Sequence, residues 1–301
     1  MSITIRPYDH PEDFKLVGDF LIDHYQPGNK DGNWLQPAWE YMHSHPSLDE
    51  ASLHKIGLWE DASKLVGVVH YESELGEVFF EIDPTYTCLK GAMLEYAETH
   101  LYGEMETGQR YVKAFINDFD LEFETIAQSR GYKKDENLTR PTSQMMIPDP
   151  FPLISLAKGF HLKSLAEDND LSKIHRVLWR GFDHAGEPPA AGIEWRKKMQ
   201  SGPNFRKELT IVIEAPTGDF VSFCGTWYEA TNRIAYVEPV ATDPDFRGRG
   251  LGKAAVLEGL RRCGLLGATV AFVGSDQKFY QALGFKKIFT SNCWVKTMSQ
   301  A

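Results

Sequence analysis

Short runs in which apolar and polar residues alternate recur along this chain, each followed by a stretch whose apolar positions fall three and four apart. Ile3-Thr-Ile-Arg-Pro7 and Phe160-His-Leu-Lys-Ser164 have the period of a half-buried strand, and residues 13–25 and 168–181 have the period of a helix. Two strands joined by a tight turn come next in both places. Lys55-Ile-Gly-Leu-Trp59 with Leu65-Val-Gly-Val-Val-His-Tyr71 matches Leu209-Thr-Ile-Val-Ile-Glu214 with Phe220-Val-Ser-Phe-Cys-Gly-Thr-Trp227. A fourth strand ends in Asp-Pro both times, at Asp83-Pro84 and Asp243-Pro244. A helix, a strand, a helix and a closing strand then complete each copy.

The separation between matched positions stays nearly constant, pairing Gly67 with Gly225, Asp83 with Asp243 and Gly131 with Gly284. This is an internal repeat, and it predicts an α+β protein of two tandem domains, each a mixed, mostly antiparallel sheet flanked by helices. Three prolines in Ile147-Pro-Asp-Pro-Phe-Pro152 read as an extended connection. The expected division is therefore 1–147, a linker at 148–155, and 156–301.

The chain has 301 residues, 42% hydrophobic and 25% charged, enough apolar material for two cores. No apolar run approaches the roughly 20 residues that span a bilayer, and Met1-Ser-Ile-Thr-Ile-Arg-Pro7 lacks a secretory profile, so no membrane partner is expected. Cys88, Cys224, Cys263 and Cys293 show no paired spacing and fit reduced thiols in a cytoplasmic protein. The formal charge of −10 argues against nucleic acid as a partner. His43-Ser-His45 has no carboxylate cluster beside it, so no metal is expected. Neither a nucleophile elbow nor a Walker loop is present.

Chemistry concentrates in Tyr236-Val-Glu-Pro-Val-Ala-Thr-Asp-Pro-Asp-Phe-Arg-Gly-Arg-Gly-Leu-Gly-Lys253, a strand, a turn, a glycine- and arginine-rich loop, and a helix start. Glycines let the backbone approach an anion, a helix N-terminus adds positive potential, and Arg247, Arg249 and Lys253 supply countercharge. A polyphosphate-bearing cofactor is expected here. In the first copy the aligned stretch Thr85-Tyr-Thr-Cys-Leu-Lys-Gly-Ala92 has no arginine and one glycine out of register, so that copy is expected to have lost the site.

Arg247-Gly-Arg-Gly-Leu-Gly252 resembles the R/Q-x-x-G-x-G/A motif of the GNAT superfamily of N-acyltransferases, and Phe279-Tyr-Gln-Ala-Leu-Gly-Phe285 resembles that family's F-Y-x-x-x-G-F element. The likeness covers residues 156–298, with the first half a degenerate second copy. It implies that two neighbouring strands splay and that acetyl-CoA enters between them as acyl donor. Main-chain groups of Val240, Ala241 and Thr242 would pair with the pantetheine. The backbone around Arg247, Gly248, Arg249, Gly250, Leu251, Gly252 and Lys253 would hold the pyrophosphate.

The resemblance also implies transfer of acetyl to a primary amine by direct attack, with Tyr280 as the acid that protonates the leaving thiolate. Glu238, on the strand face shared with Val240, is either the base, a substrate anchor, or a structural hydrogen-bonding group, and Pro239 signals a bulge there. Substrate recognition is expected from Phe182, Asp183, His184 and Trp227, an aromatic and acidic set suited to a small-molecule amine. A protein N-terminus or lysine as acceptor, an acyl-CoA-binding regulator without turnover, and a nucleotide in the loop remain alternatives. A monomer or homodimer fits the sequence equally well.

Overall fold

The computed structural model describes residues 3–298. They divide into two compact units. One holds the described residues up to Met42, Ser47–Thr142 and those from Lys287 on; the other holds His43–Pro46 and Ser143–Lys286.

The first unit contains β1 (Ile3–Pro7), α1 (Glu12–His24), most of α2 (Gln36–Ser44), β2 (Gly57–Asp61), β3 (Lys64–His70), β4 (Glu77–Ile82), α3 (Lys90–His100), β5 (Gly103–Glu104), β6 (Arg110–Asn117), α4 (Leu121–Ser129) and the greater part of β7 (Lys133–Met146). The second contains β8 (His161–Ser164), α5 (Leu171–Gly181), α6 (Gly192–Met199), β9 (Ile211–Glu214), β10 (Phe220–Glu229), β11 (Ile234–Thr242), α7 (Leu251–Leu265), β12 (Val270–Val273) and α8 (Lys278–Gln281). The last strand, β13 (Lys286–Met298), belongs almost wholly to the first unit.

Both units repeat one topology. In the first, β1, β2, β3 and β4 pair antiparallel in turn and β4 pairs parallel with β6; in the second, β8, β9, β10 and β11 do the same and β11 pairs parallel with β12. The mixed, mostly antiparallel α+β architecture expected from the repeat is thus present twice.

The sixth strand is where the fold departs from the expected order, in which each copy ends with its own closing strand. β13, from the C-terminal half of the sequence, lies antiparallel on β6 from Ser291↔Asn117 to Met298↔Arg110. Residues 143–146, from the N-terminal half, lie antiparallel on β12. Each unit takes its sixth strand from the other half, so the units do not follow a single cut near residue 147. The physical reason is that an edge strand offers unpaired backbone groups that any antiparallel partner satisfies. Side-chain alternation marks a strand but does not name its neighbour.

The cores follow from the apolar faces. Trp39, Trp59, Met93 and Leu94 are fully buried in the first unit; Ile211, Cys224, Ala255, Leu260 and Ala271 are fully buried in the second. Helix α7 presses directly on the sheet: a side chain at Gly259 would strike Thr226 of β10.

Candidate active site

Strands β11 and β12 run together for only three residue pairs, Ile234↔Val270, Ala235↔Ala271 and Tyr236↔Phe272. Beyond that point β12 ends at Val273 while β11 continues to Thr242, so the two part and the main chain of residues 238–242 loses its parallel neighbour. Opposite this stretch the β10–β11 register shifts between Cys224↔Val240 and Thr226↔Val237, which sets Glu238 and Pro239 against Gly225 alone. Pro239 does mark a bulge, and Gly225 is what lets the bulged chain pass.

The bulge flips the alternation. Ala235 and Val237 face the core that holds Cys224 and α7, and beyond the bulge Val240 packs against that same core while Ala241 turns to Phe223 and α5. Val240 therefore does not share the face of Tyr236 and Glu238 that strict alternation predicts. The Tyr236 hydroxyl donates to Glu238 Oε2 at 2.9 Å. Trp227, the register partner of Tyr236, donates its Nε1–H to the Glu238 carbonyl oxygen at 3.0 Å. Tyr236 carried no motif in the sequence; its signal was only its place two residues before Glu238 on one strand face.

Tyr280 sits on α8, immediately past β12, buried between Phe279 and Phe285 with ring centroids 4.9 and 5.8 Å away. Burial pushes its phenol well above the usual tyrosine range, and the negative charge of Glu238 pushes the same way. A phenol so placed holds its proton at neutral pH, the state a general acid requires. Cys224 is itself pushed up to about 12 by complete burial, so it stays a thiol.

The turn after β11 is fixed by an ion pair between the buried Asp243 and the half-buried Arg180. Asp243 caps the Asp245 N–H at 3.0 Å and receives Arg180 Nε at 2.5 Å and Nη2 at 3.0 Å. Burial alone would raise the Asp243 carboxyl, but the Arg180 and backbone hydrogen bonds outweigh it and hold the group below the usual range. Gly248 and Gly250 both take left-handed φ of +77°, and Gly250 opens α7 with no side-chain cap. The first N–H groups of this 15-residue helix are therefore claimed by no capping side chain, whereas α5 has Asp170 across the amides of Ser172 and Lys173.

The basic residues of the loop divide into two roles. Arg247 is spent on the protein, donating Nε to Thr242 O at 3.1 Å and Nη2 to Gly181 O at 2.8 Å, and lying 3.0 Å from Asp183. Arg249 rests over Phe246 and reaches Asp245 O at 3.3 Å. Lys253 is exposed one turn into the helix and forms no ion pair among the described residues. Loop geometry likewise engages two of the expected acceptor-binding side chains. Asp183 (φ +58°) pairs with Arg247, and His184 stacks on Trp179 at 4.4 Å. Phe182 is exposed, and Trp227 is buried with Phe205 5.8 Å away.

The first unit has the same opening with different contents. β4 and β6 share only Glu77↔Lys113 and Val78↔Ala114 before parting. The segment Asp31-Gly-Asn-Trp34, which joins α1 to α2, fills the gap. The Asn33 amide accepts from Ile82 N–H at 2.7 Å and donates to Ile82 O at 3.2 Å; Trp34 N–H donates to Glu81 Oε2 at 2.6 Å; Asn117 Nδ2 donates to Gly32 O at 2.8 Å. Ile82 corresponds to Thr242, since Asp83 N–H bonds Val66 O as Asp243 N–H bonds Val221 O. At the corresponding helix start Lys90 is buried, its ammonium 2.8 Å from both Asp120 and Glu122. A cavity of about 320 Å³ remains between Asp31, Lys90, Asn117 and Phe123.

Comparison with known proteins agrees with the second unit. Residues 206–287 match the family described as "Acetyltransferase (GNAT) domain". Glucosamine 6-phosphate N-acetyltransferase of Trypanosoma brucei brucei is 28% identical over 132 residues, covering 40% of this chain and 85% of that protein. Mycothiol acetyltransferase of Saccharomonospora viridis is 27% identical over 153 residues, covering 46% of this chain and 50% of its own length. The solved structure of a tandem GNAT protein from the clavulanic acid biosynthesis pathway matches in fold, with a TM-score of 0.65 at 13% identity, over 100% of both chains.

Proposed function

We propose that this acyltransferase, whose residues 206–287 match the GNAT acetyltransferase family, moves acetyl from acetyl-CoA to a primary amine of a small molecule by direct attack in a ternary complex. The observation that carries this reading is the parting of β11 from β12 next to an uncapped helix N-terminus, with Glu238 and Tyr280 within electrostatic reach of each other.

In this reading the pantetheine lies along Val240, Ala241 and Thr242, and the pyrophosphate sits on the amides of Arg249 to Lys253 with Lys253 as countercharge. Arg247 holds the loop to Thr242 and Gly181 instead of binding phosphate. Glu238 takes one proton from the substrate ammonium. The free amine attacks the thioester carbon, the C–S bond breaks, and Tyr280 protonates the departing sulfur. The nitrogen's second proton restores the tyrosine, so the net products are amide, CoA thiol and one proton. No thiol takes part, consistent with the burial of Cys224 and Cys263.

The half-buried face of β11, walled by Tyr236 and Glu238 and backed by Trp227, suits a compact cationic acceptor. Two relatives named for acetylation of glucosamine 6-phosphate and mycothiol support a small-molecule amine. The test is an amine panel with acetyl-CoA and thiol detection, containing amino sugars, their phosphates, amino acids, polyamines and a peptide library. Turnover on peptides alone would overturn the small-molecule reading, and binding of CoA without any thiol release would overturn catalysis.

A further inference from the structure

Glu238 is engaged both through its main chain and through its carboxylate. The Trp227 indole fixes its carbonyl, Gly225 accommodates its peptide, and the Tyr236 hydroxyl meets Oε2 at 2.9 Å. Tyr236 stands at the last paired position before β11 and β12 part. Its hydroxyl also lies 3.9 Å from where a side chain on Gly274 would begin, just beyond the end of β12.

We propose that Tyr236 is a positioning residue for the acyl transfer, its hydroxyl fixing the Glu238 carboxylate in the opening where the acceptor amine loses its proton. The inference rests on the reading of Glu238 as base. A glutamate side chain has three rotatable bonds, and a donor already in place offsets the lost rotamer freedom before substrate arrives. A hydrogen bond donated to a carboxylate also favours its ionised form. Two other titratable groups near this position keep their protons. Tyr280, from α8, keeps its proton because burial and the negative Glu238 raise it, and Cys224, from β10, is a buried thiol. Both belong to the core that packs on α7, and the Tyr236 hydroxyl is bound to Oε2.

Rates with acetyl-CoA and the best amine of the panel, measured across pH for wild type, Tyr236→Phe, Glu238→Gln and the double variant, test this. Tyr236→Phe keeps the ring and its packing. The expected result is kcat lower by about tenfold, the KM for acetyl-CoA within about twofold, and the acid limb of kcat/KM displaced to higher pH. Glu238→Gln removes that limb, and the double variant is no slower than Glu238→Gln alone. Replacing Tyr236 by 3-fluorotyrosine, a stronger donor of nearly the same size, moves the limb the opposite way and covers the case in which the Phe variant folds poorly. An acid limb that survives in Glu238→Gln defeats the base reading and this inference with it. A limb lost in Glu238→Gln but unmoved in both Tyr236 variants defeats the inference alone.

Discussion

The Glu238 main chain passes over Gly225 so closely that a Cβ there would sit 2.9 Å from the Glu238 carbonyl carbon and 2.9 Å from Pro239 Cδ, with the carbonyl oxygen nearer still. The bulge at Glu238 and Pro239, after which β11 resumes its pairing with β10 at Val240, therefore depends on an absent side chain. Gly225→Ala must push the bulge outward or undo it. The expected cost is about 2–4 kcal/mol, in the range of buried strain and overpacking. Thermal or urea unfolding measures it. Activity should fall further than stability explains, because the displaced strand carries Glu238.

Tyr280 is expected to act in the chemical step alone. Tyr280→Phe keeps the packing on Phe279 and Phe285 and removes only the hydroxyl. Proton donation contributes on the order of 10²- to 10⁴-fold, so kcat should drop within that range while acetyl-CoA binding by calorimetry stays the same. Unchanged turnover would remove Tyr280 from the mechanism.

Much of this site could be read from the chain before any fold was known, for local reasons. The loop from Arg247 to Lys253 and the turn at Asp243 are set by residues within a few positions of one another: a left-handed Gly250, a carboxylate capping two residues on, a helix beginning at Leu251. What the sequence did not disclose is long-range. Asn33 reaches Ile82 across 49 positions, Arg247 reaches Gly181 across 66, and β13 pairs with a strand of the other half. Each contact is made to backbone oxygen or nitrogen, which every residue type carries, so no residue pattern announces the partner. Arg247 illustrates the consequence. Its charge and spacing fit a phosphate ligand, yet its guanidinium is committed to two carbonyls and Asp183.

The glycine at the start of α7 should control cofactor affinity. Gly250 has φ of +77°, a conformation that costs a β-branched residue upwards of roughly 1–2 kcal/mol, and it immediately precedes the uncapped amides. Gly250→Val is expected to raise the KM for acetyl-CoA tenfold or more, with kcat changed by less than about threefold. An equal loss in both would mean that the loop serves the chemical step.

One acetyl-CoA per chain is the expected stoichiometry. Asn33 occupies the edge groups of Ile82, and Lys90 is neutralised by Asp120 and Glu122, so the first unit presents neither the strand edge nor the free helix start. Isothermal titration should give a single site, and Gly250→Val should weaken it. A second site persisting in that variant would show that the first unit binds cofactor.

The segment filling the first unit should leave a pH signature of unusual sign. Asp31 is pushed up to about 6, chiefly by burial, even though its carboxylate accepts the N–H groups of Gln26 at 2.8 Å and Asn33 at 3.2 Å. The unfolded value is near 3.9. Between these two values the folded state holds the proton that the unfolded state has released, so stability falls as pH rises from about 4 to about 6 and then stays level. Paired carboxylates such as Asp243, whose folded value is lowered, act in the opposite sense and at lower pH, losing their contribution as pH falls below about 4. Asp31→Asn keeps one acceptor oxygen for the Gln26 N–H, puts an NH2 where the protonated acid carries its hydroxyl, and removes the ionisation. It is expected to raise unfolding stability at pH 7.5 by about 1–3 kcal/mol, the equivalent of one to two pKa units, and to leave stability at pH 4 nearly unchanged. Urea unfolding of the wild type and the variant at both pH values measures the difference. A gain of the same size at both values would trace it to packing, and no gain at pH 7.5 would mean that the Asp31 charge is solvated in the folded protein.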